Sequence, residues 1–183
     1  KMDVRPLLKL VLNAFLGSST GLVDMCVEHL PSAAEASKAA TTTAPPDSVL
    51  ARAIERCDAQ GPLLIQIAKV YPTSDATEFR AFGRVLSGTV SCGQSVKVLG
   101  PTYTPEDEED MAVETVSGVY VAEARYAVHA PGVPAGNWVL LSGIDSTIAK
   151  SATVCDTALP VADTYVLRPI VHMTESVLKV AIE

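Results

Sequence analysis

The distribution of apolar residues changes character close to Gly61. Before that point, apolar residues form two blocks with helical spacing, Pro6–Leu16 and Leu22–Leu30, which end at Gly17 and Pro31. After it, short runs rich in valine and threonine alternate with turns that contain glycine or proline. The pattern therefore predicts a helical start followed by a mainly β remainder.

The helical part is predicted to contain a buried helix, a capped helix and a linker. Pro6–Leu16 is almost wholly apolar but too short to span a bilayer, so we expect a buried helix. Ser32–Ser48 is small, polar and low in complexity, which favours a flexible linker with some helix near Ala33–Lys38. Asp47-Ser48 is a predicted cap for a short helix over Val49–Arg56.

The remainder of the chain is a succession of strand-like runs. They are Leu63–Val70, Glu78–Ser87, Ser95–Leu99, Ala112–Ala122, Tyr126–His129, Trp138–Leu141 and Ile148–Val154. Two more follow at Leu167–His172 and Val177–Ile182, where Pro169 restricts the first to an edge or a bulge. Many short strands with turns about every eight to twelve residues predict a small closed barrel or a sandwich.

The charge balance and the cysteines exclude some classes of function. Fourteen basic against twenty-one acidic residues give a net charge of −7, which is a poor basis for binding nucleic acid unaided. Local basic spots remain compatible with RNA contact inside a larger assembly. The four cysteines (Cys26, Cys57, Cys92 and Cys155) form no C-x-x-C pair, so we expect reduced thiols in a cytosolic or nuclear protein.

One loop resembles a phosphate-binding loop without being one. Gly88–Ser95 fits G-x-x-x-x-G-K-[ST] except that Gln94 replaces the lysine. The strand-like Val96–Leu99 follows, whereas phosphate binding needs a helix N-terminus with aligned N–H groups. The sequence also has no N-K-x-D motif. We therefore predict a glycine-bearing loop between strands that does not bind nucleotide.

Two charged features are candidates for partner binding. Arg80 and Arg84 share a face if Phe79–Leu86 is a strand, where they either bind a phosphate or carboxylate of a neighbouring chain or pair charges within the surface. The second feature is a run of five carboxylates: Glu106, Asp107, Glu108, Glu109 and Asp110. Such a run is either a solvated loop or a docking patch for a basic partner.

The aromatic and histidine residues offer no catalytic pattern. Trp138 follows a turn and enters an apolar strand, so we predict packing in the core or at its rim rather than a platform for stacking bases. His29, His129 and His172 lack the context of a triad or a metal motif. No catalytic, cofactor-binding or metal-binding residue is predicted in this chain.

Several segments together resemble a known family. They are Cys57–Leu64, Val70–Asp75, Phe79–Gly88, Val98–Pro105, Val133–Asn137 and Ser176–Glu183. In these segments the chain is similar to domain II of elongation factor 2 and its relatives. Gly21–Pro31, Pro105–Asp110 and Asn137–Leu140 make it most similar to the spliceosomal GTPases of the U5 small nuclear ribonucleoprotein.

The resemblance implies a fold and a division of the chain. The fold would be a closed six-stranded antiparallel β-barrel of the translation-factor domain II type, preceded by short helices and followed by the first strand of a ferredoxin-like domain. Residues 1–30 would end a GTP-binding domain, 31–60 would form a linker with a short helix, 61–168 the barrel, and 169–183 the transition into a third domain. The chain starts without methionine and ends in a strand pattern, so we expect it to be part of a longer protein.

The resemblance also implies a function in pre-mRNA splicing in the nucleus. The barrel would be a relay or docking module, and GTP would bind to the full-length protein but not to this chain. The implied partners are the large scaffold protein and the RNA helicase of the U5 particle, with small nuclear RNA as a further candidate and no membrane. Two alternatives remain, namely domain II of the ribosomal translocase and a free-standing interaction barrel.

Overall fold

The computed structural model describes residues 3–17, 20–40, 48–106, 108–161 and 164–169. Its helices are α1 (Val4–Leu16), α2 (Thr20–His29), α3 (Ala33–Ala40) and α4 (Val49–Glu55). Its strands are β1 (Leu64–Pro72), β2 (Phe79–Ser87), β3 (Thr89–Ser91), β4 (Ser95–Leu99), β5 (Met111–Thr115), β6 (Gly118–Glu123), β7 (Tyr126–His129), β8 (Gly132–Pro134), β9 (Trp138–Ser142) and β10 (Ala152–Asp156). The chain divides into two compact units, Lys1–Ser32 and Ala33–Glu183.

The first unit contains α1 and α2. The carboxylate of Asp3 accepts a hydrogen bond from the N–H of Val4, and α1 ends at Gly17, which has a positive φ of 67°. Neither helix has a buried residue, and the side chain of Phe15 is 86% exposed. The prediction that Pro6–Leu16 is buried is therefore wrong for the described chain. The apolar pattern correctly indicates a helix, but burial also requires a covering surface, which the pattern does not report.

No single helix in the described part of the chain is long and apolar enough to cross a membrane. The helices α1 and α2 together, with a bend between them, reach the length and apolar composition of a membrane span.

The second unit begins with α3 and α4. The helix α3 covers Ala33–Ala40 and extends beyond the short helical part predicted in the linker, whereas residues 41–47 lie outside the described residues. The hydroxyl of Ser48 accepts a hydrogen bond from the N–H of Ala51 at 3.0 Å, which confirms the predicted cap of α4. Leu50 and Ile54 anchor α4 in a core cluster with residues of β1, β2, β4 and β10.

The strands form a mainly antiparallel β structure, which confirms the predicted class. Eight strands are ordered β5-β4-β10-β1-β2-β9-β6-β7, and β3 pairs separately with β8. The inner side of the sheet holds the larger core cluster, whose fully buried members include Ile67, Val85 and Leu141. Complete burial of one such side chain stabilises the fold by about 1.5–3 kcal/mol.

Several features of the sheet differ from the predicted strands, among them the start of the predicted run Ile148–Val154, since β10 begins at Ala152. The single predicted strand Ala112–Ala122 is two strands, because Val116 and Ser117 interrupt the ladder between β5 and β6. The short strands β3 and β8 were not predicted, since three residues are too few to display an alternating pattern. Their pairing joins segments that are far apart in sequence.

The described C-terminal residues pack on the sheet without forming a strand. The N–H of Leu167 donates to the hydroxyl of Thr153 at 2.8 Å, and the side-chain amide of Gln66 donates to the carbonyl of Arg168 at 3.0 Å. The segment 164–169 is therefore not a strand where it is described. The remainder of the predicted runs Leu167–His172 and Val177–Ile182 lies outside the described residues.

Candidate interaction face

Strand β2 divides its side chains between the core and the outer surface of the sheet. Ala81, Gly83 and Val85 are buried, whereas Arg80 and Arg84 alternate with them and are half-buried. This alternation follows from the period of two residues along a strand. Arg80 and Arg84 therefore share a face, as their spacing predicts. That they bind a partner stays a prediction.

Aromatic side chains extend this outer surface onto the neighbouring strands. Phe82 lies between the two arginines and stacks on Trp138 of β9, with 4.9 Å between ring centroids and 9° between ring planes. Tyr71 of β1 meets Phe82 edge-to-face at 5.8 Å, and Tyr120 of β6 meets His129 of β7 in the same way at 5.7 Å. Such pairs are worth about 0.5–1.5 kcal/mol beyond the area that they bury.

Trp138 lies outside the core, which removes the first of the two predicted positions, core or rim. Its side chain is 45% exposed, and its strand pairs it with Arg84 on the outer face of the sheet. The next residue, Val139, is the one that points inward and is buried. The apolar character of Trp138–Leu141 identifies the strand, but the register with β2 decides which face the tryptophan takes.

Three cations lie close to aromatic rings. The guanidinium carbon of Arg80 lies 4.4 Å from the centroid of the Tyr120 ring, and that of Arg125 lies 5.2 Å from the Tyr126 ring. The ammonium of Lys69 is 5.3 Å from the centroid of Tyr71. These distances fall within the range of cation–π attraction, which is worth about 0.5–1 kcal/mol at exposed sites.

We call this surface the aromatic face, defined by Lys69, Tyr71, Arg80, Phe82, Arg84, Tyr120 and Trp138. A cleft of about 440 Å³ opens at one end of it. The floor includes Arg80 and Phe82 of β2 and Leu140 of β9, and the walls are the end of β1 and the β6–β7 hairpin, which carries Arg125. Among the described residues that line the cleft, none carries a carboxylate.

The acidic run lies elsewhere and is partly structural. Glu106–Asp110 belongs to the connection between β4 and β5, and β10 and β1 separate β4 from β2 in the sheet. The carboxylate of Asp110 accepts hydrogen bonds from the N–H and the hydroxyl of Thr102, at 3.0 and 2.6 Å. A Cβ on Gly100 would overlap that carboxylate. Asp110 therefore holds this turn in place.

The other predicted acidic residues remain untested as a docking patch. Glu106 and Glu109 are exposed, and a 3₁₀ turn begins at Glu108. Asp107 lies outside the described residues. The structure thus brings the two arginines together on one strand but does not bring them to the acidic run.

The loop that resembles a phosphate-binding loop is a connection between strands. It contains β3 and leads into β4, so no helix follows it. The side-chain oxygen of Gln94 accepts a hydrogen bond from the N–H of Ser91 at 3.1 Å. The residue at the lysine position of the motif therefore closes its own turn, as expected for a structural loop.

The histidines and cysteines of the described chain belong to no metal-binding group. No group of three or more His, Cys, Asp or Glu side chains there could hold a metal ion. Cys26 and Cys92 are exposed, and Cys155 is buried. Burial raises the pKa of the Cys155 thiol to about 11, so this cysteine is a protonated core residue at neutral pH.

Most of the aromatic face is not predicted by the sequence alone. Arg80 and Arg84 are predicted to share a face, and the alternation along β2 places Phe82 between them on the same surface. Tyr71, Tyr120 and Arg125 reach the same region only through pairing of distant strands. Their joint presence could therefore not be inferred from local spacing.

Comparison with known proteins gives this architecture a family context. Residues 79–155 match the family model of elongation factor Tu domain 2. In Arabidopsis thaliana, the 109 kDa U5 small nuclear ribonucleoprotein component GFL and the 110 kDa component CLO are each 41% identical to this chain over 186 residues. The pre-mRNA-splicing factor cwf10 of Schizosaccharomyces pombe is 44% identical over 187 residues. Each alignment covers 100% of this chain but 19% of the relative, so the chain spans about a fifth of their length.

Proposed function

We propose that the chain is part of a spliceosomal elongation-factor-2-like GTPase, because residues 79–155 match the family model of elongation factor Tu domain 2 and the whole chain is similar to U5 small nuclear ribonucleoprotein components. In this role it acts in pre-mRNA splicing in the nucleus. The observation that carries the proposal is identity of 41–44% along the entire chain to relatives whose names place them in the splicing machinery.

The proposed module is a closed six-stranded barrel. Only Val116 and Ser117 separate β5, which pairs with β4, from β6, which pairs with β9. The N–H of Val116 donates to the carbonyl of Gln94 at 2.9 Å, and the N–H of Ser117 donates to the carbonyl of Ser142 at 2.9 Å. If β5 and β6 are counted as one bent strand, that strand joins both ends of the order β4-β10-β1-β2-β9, which supports closure with six strands.

Amide hydrogen exchange tests the closure. We expect the amides of Val116 and Ser117 to exchange as slowly as those of Val98 and Val154 in the continuous ladder. A gap between β5 and β6 would make the two amides exchange at the rate of an exposed turn. That result would contradict a closed barrel.

The domain division follows from the proposed family role. Residues 1–30 would end the GTP-binding domain, 31–60 would link it to the barrel at 61–168, and 169–183 would lead into a third domain. GTP would bind outside this chain, whose described part offers no phosphate loop. The barrel would relay the nucleotide state as a rigid body that moves on its linkers.

The partners proposed for the module are the large scaffold protein and the RNA helicase of the U5 particle, with small nuclear RNA as a further candidate. The aromatic face and its cleft have the composition of an interface, since they combine exposed aromatic side chains with arginines. The acidic run Glu106–Asp110 is a second candidate patch.

Purification of the tagged full-length protein from nuclear extract tests the splicing role. We expect U5 small nuclear RNA and splicing proteins in the purified material. Ribosomal subunits in their place would contradict the proposal and favour a translation factor. Neither class of particle in the material would favour a free-standing interaction barrel.

Calorimetry with GTP tests the division between domains. The full-length protein is expected to bind GTP, whereas the 183-residue chain is expected to give no heat of binding at micromolar nucleotide. Binding by the isolated chain would contradict the conclusion that Gly88–Ser95 is only a connection between strands.

A further inference from the structure

The cleft on the aromatic face combines positive charge with an apolar floor. Arg80 and Arg125 both line it, and both guanidinium groups lie next to tyrosine rings, which hold them without neutralising their charge. Phe82 and Leu140 contribute carbon surface to the floor. With no carboxylate among the described lining residues, the charge of the two arginines is uncompensated within the cleft.

We propose that this cleft binds an extended acidic segment of a partner protein. A carboxylate of that segment pairs with Arg80 and Arg125, and a neighbouring aliphatic or aromatic side chain rests on Phe82. The inference rests on the proposed role of the chain as a docking module, and it adds the site and the chemistry of the partner.

Charge complementarity is the first argument for this occupant. Arginine binds carboxylates through paired N–H donors, and a site that is positive, narrow and partly apolar favours a single carboxylate next to a hydrophobic group. The volume of about 440 Å³ accommodates a few side chains rather than a folded domain.

Strand β7 supplies the second argument, because it ends the order of the sheet beside the cleft. In the described part of the chain β7 pairs with β6 alone, and Ala127 of β7 lines the cleft. Tyr126 and Val128 of the same strand are exposed, and no proline or lysine protects it. An open edge of this kind can accept an extended segment as an additional strand, which would pass its side chains into the cleft.

The observations favour a protein segment over RNA. The chain carries a net charge of −7, which disfavours a polyanion. Single-stranded nucleic acid is usually held by a groove in which many cations follow the backbone, whereas this cleft is lined by two. One or two carboxylates therefore match the site better than a row of phosphates.

Fluorescence anisotropy with the 183-residue chain tests the proposal. The probe is a fluorescein-labelled ten-residue peptide with one aspartate and one glutamate, each next to a leucine or a tyrosine, among serine and glycine residues. We expect saturable binding, and Arg80→Ala and Arg125→Ala together should weaken it at least about ten-fold, since a hydrogen bond to a charged group is involved. Arg56→Ala at the end of α4, which also removes an exposed arginine, is the matched control and should leave binding unchanged.

Two further probes decide the chemistry of the occupant. A peptide with asparagine and glutamine in place of the acids should bind at least about ten-fold more weakly, and equal binding would overturn the role of the carboxylate. A ten-nucleotide oligouridylate should not compete, and tighter binding than the acidic peptide would overturn the proposal in favour of RNA. Absence of binding by the acidic peptide would overturn it as well. Failure here would leave the splicing role untouched, because co-purification tests that separately.

Discussion

The two faces of β2 differ in burial and in charge, although their residues alternate along one strand. The inward side chains, Ala81, Gly83 and Val85, are completely or almost completely buried and hold the sheet together. The outward side chains, Arg80 and Arg84, are half-buried and carry the charge of the aromatic face. A substitution on one face should therefore change the stability of the fold, and a substitution on the other should change binding while the fold persists.

The largest effect is expected at Ile67, opposite Gly83 on the inner face. Ile67 is 0% exposed, and Ile67→Ala removes three buried carbons, so it should lower the free energy of unfolding by about 3 kcal/mol. Urea unfolding measures the change. Val128→Ala on β7, where the side chain is 46% exposed, is the control and should cost less than about 1 kcal/mol. Equal losses would show that the burial of Ile67 does not decide the cost of truncating it.

Gly83 is expected to give the next largest effect. A Cβ at this position would lie 2.6 Å from the carbonyl oxygen of Gln66 and 2.7 Å from the Cδ1 of Ile67. Gly83→Ala must therefore displace backbone of β1, and we expect a loss of about 2 kcal/mol in urea unfolding. Gly21→Ala is the matched control, since nothing lies within 4 Å of a Cβ there and alanine favours the helix α2.

The free energy of unfolding should depend on pH through the buried thiol of Cys155. Its folded-state pKa is raised by burial from 9.0 to about 11, so the protonated thiol is favoured by folding. That stabilisation is complete below pH 9 and is lost as the pH rises towards 11. Between pH 8 and pH 10 we expect a loss of about 1 kcal/mol from this group.

Urea unfolding across that pH range measures the loss at Cys155. The variant Cys155→Ala should lack this component of the pH dependence, although it is less stable at every pH because it leaves a cavity. Identical pH profiles for the two proteins would contradict a thiol with a raised pKa. Exposed Cys92 should react with a thiol reagent in the folded protein long before Cys155 does.

These effects also show what the sequence could and could not predict. The bounds of Ser95–Leu99 and Tyr126–His129 are those of β4 and β7, because alternation and flanking turns are local properties. The mainly β class followed from the same local signals. The break at Val116 and Ser117 could not be predicted, since it results from pairing with two different strands.

Burial and the composition of the candidate site depend on long-range pairing. The helix α1 has the apolar pattern of a core helix, yet none of its residues is buried in the described chain. Trp138 takes the outer face because β9 pairs with β2 in one register, and a shift of one residue would turn it inward. The cleft assembles residues of β1, β2, β9 and the β6–β7 hairpin, of which only Arg80 was identified from the sequence.

The smallest effect on stability and the largest on binding are expected together at Arg80. Arg80→Met retains much of the aliphatic length and removes the guanidinium, which loses the contact with Tyr120, worth about 0.5–1 kcal/mol. It also removes a buried Nε–H that has no hydrogen-bond partner within the described part of the chain, and an unpaired buried donor is itself costly.

Because the two changes at Arg80 oppose each other, the free energy of unfolding should shift by less than about 0.5 kcal/mol. Binding of the acidic peptide should fall about ten-fold, because the charge that pairs with the carboxylate is gone. Urea unfolding and fluorescence anisotropy on the same preparation measure both quantities. A loss of stability comparable to that of Gly83→Ala would place Arg80 among the structural residues of β2, and the division of the strand into a core face and a binding face would then be wrong.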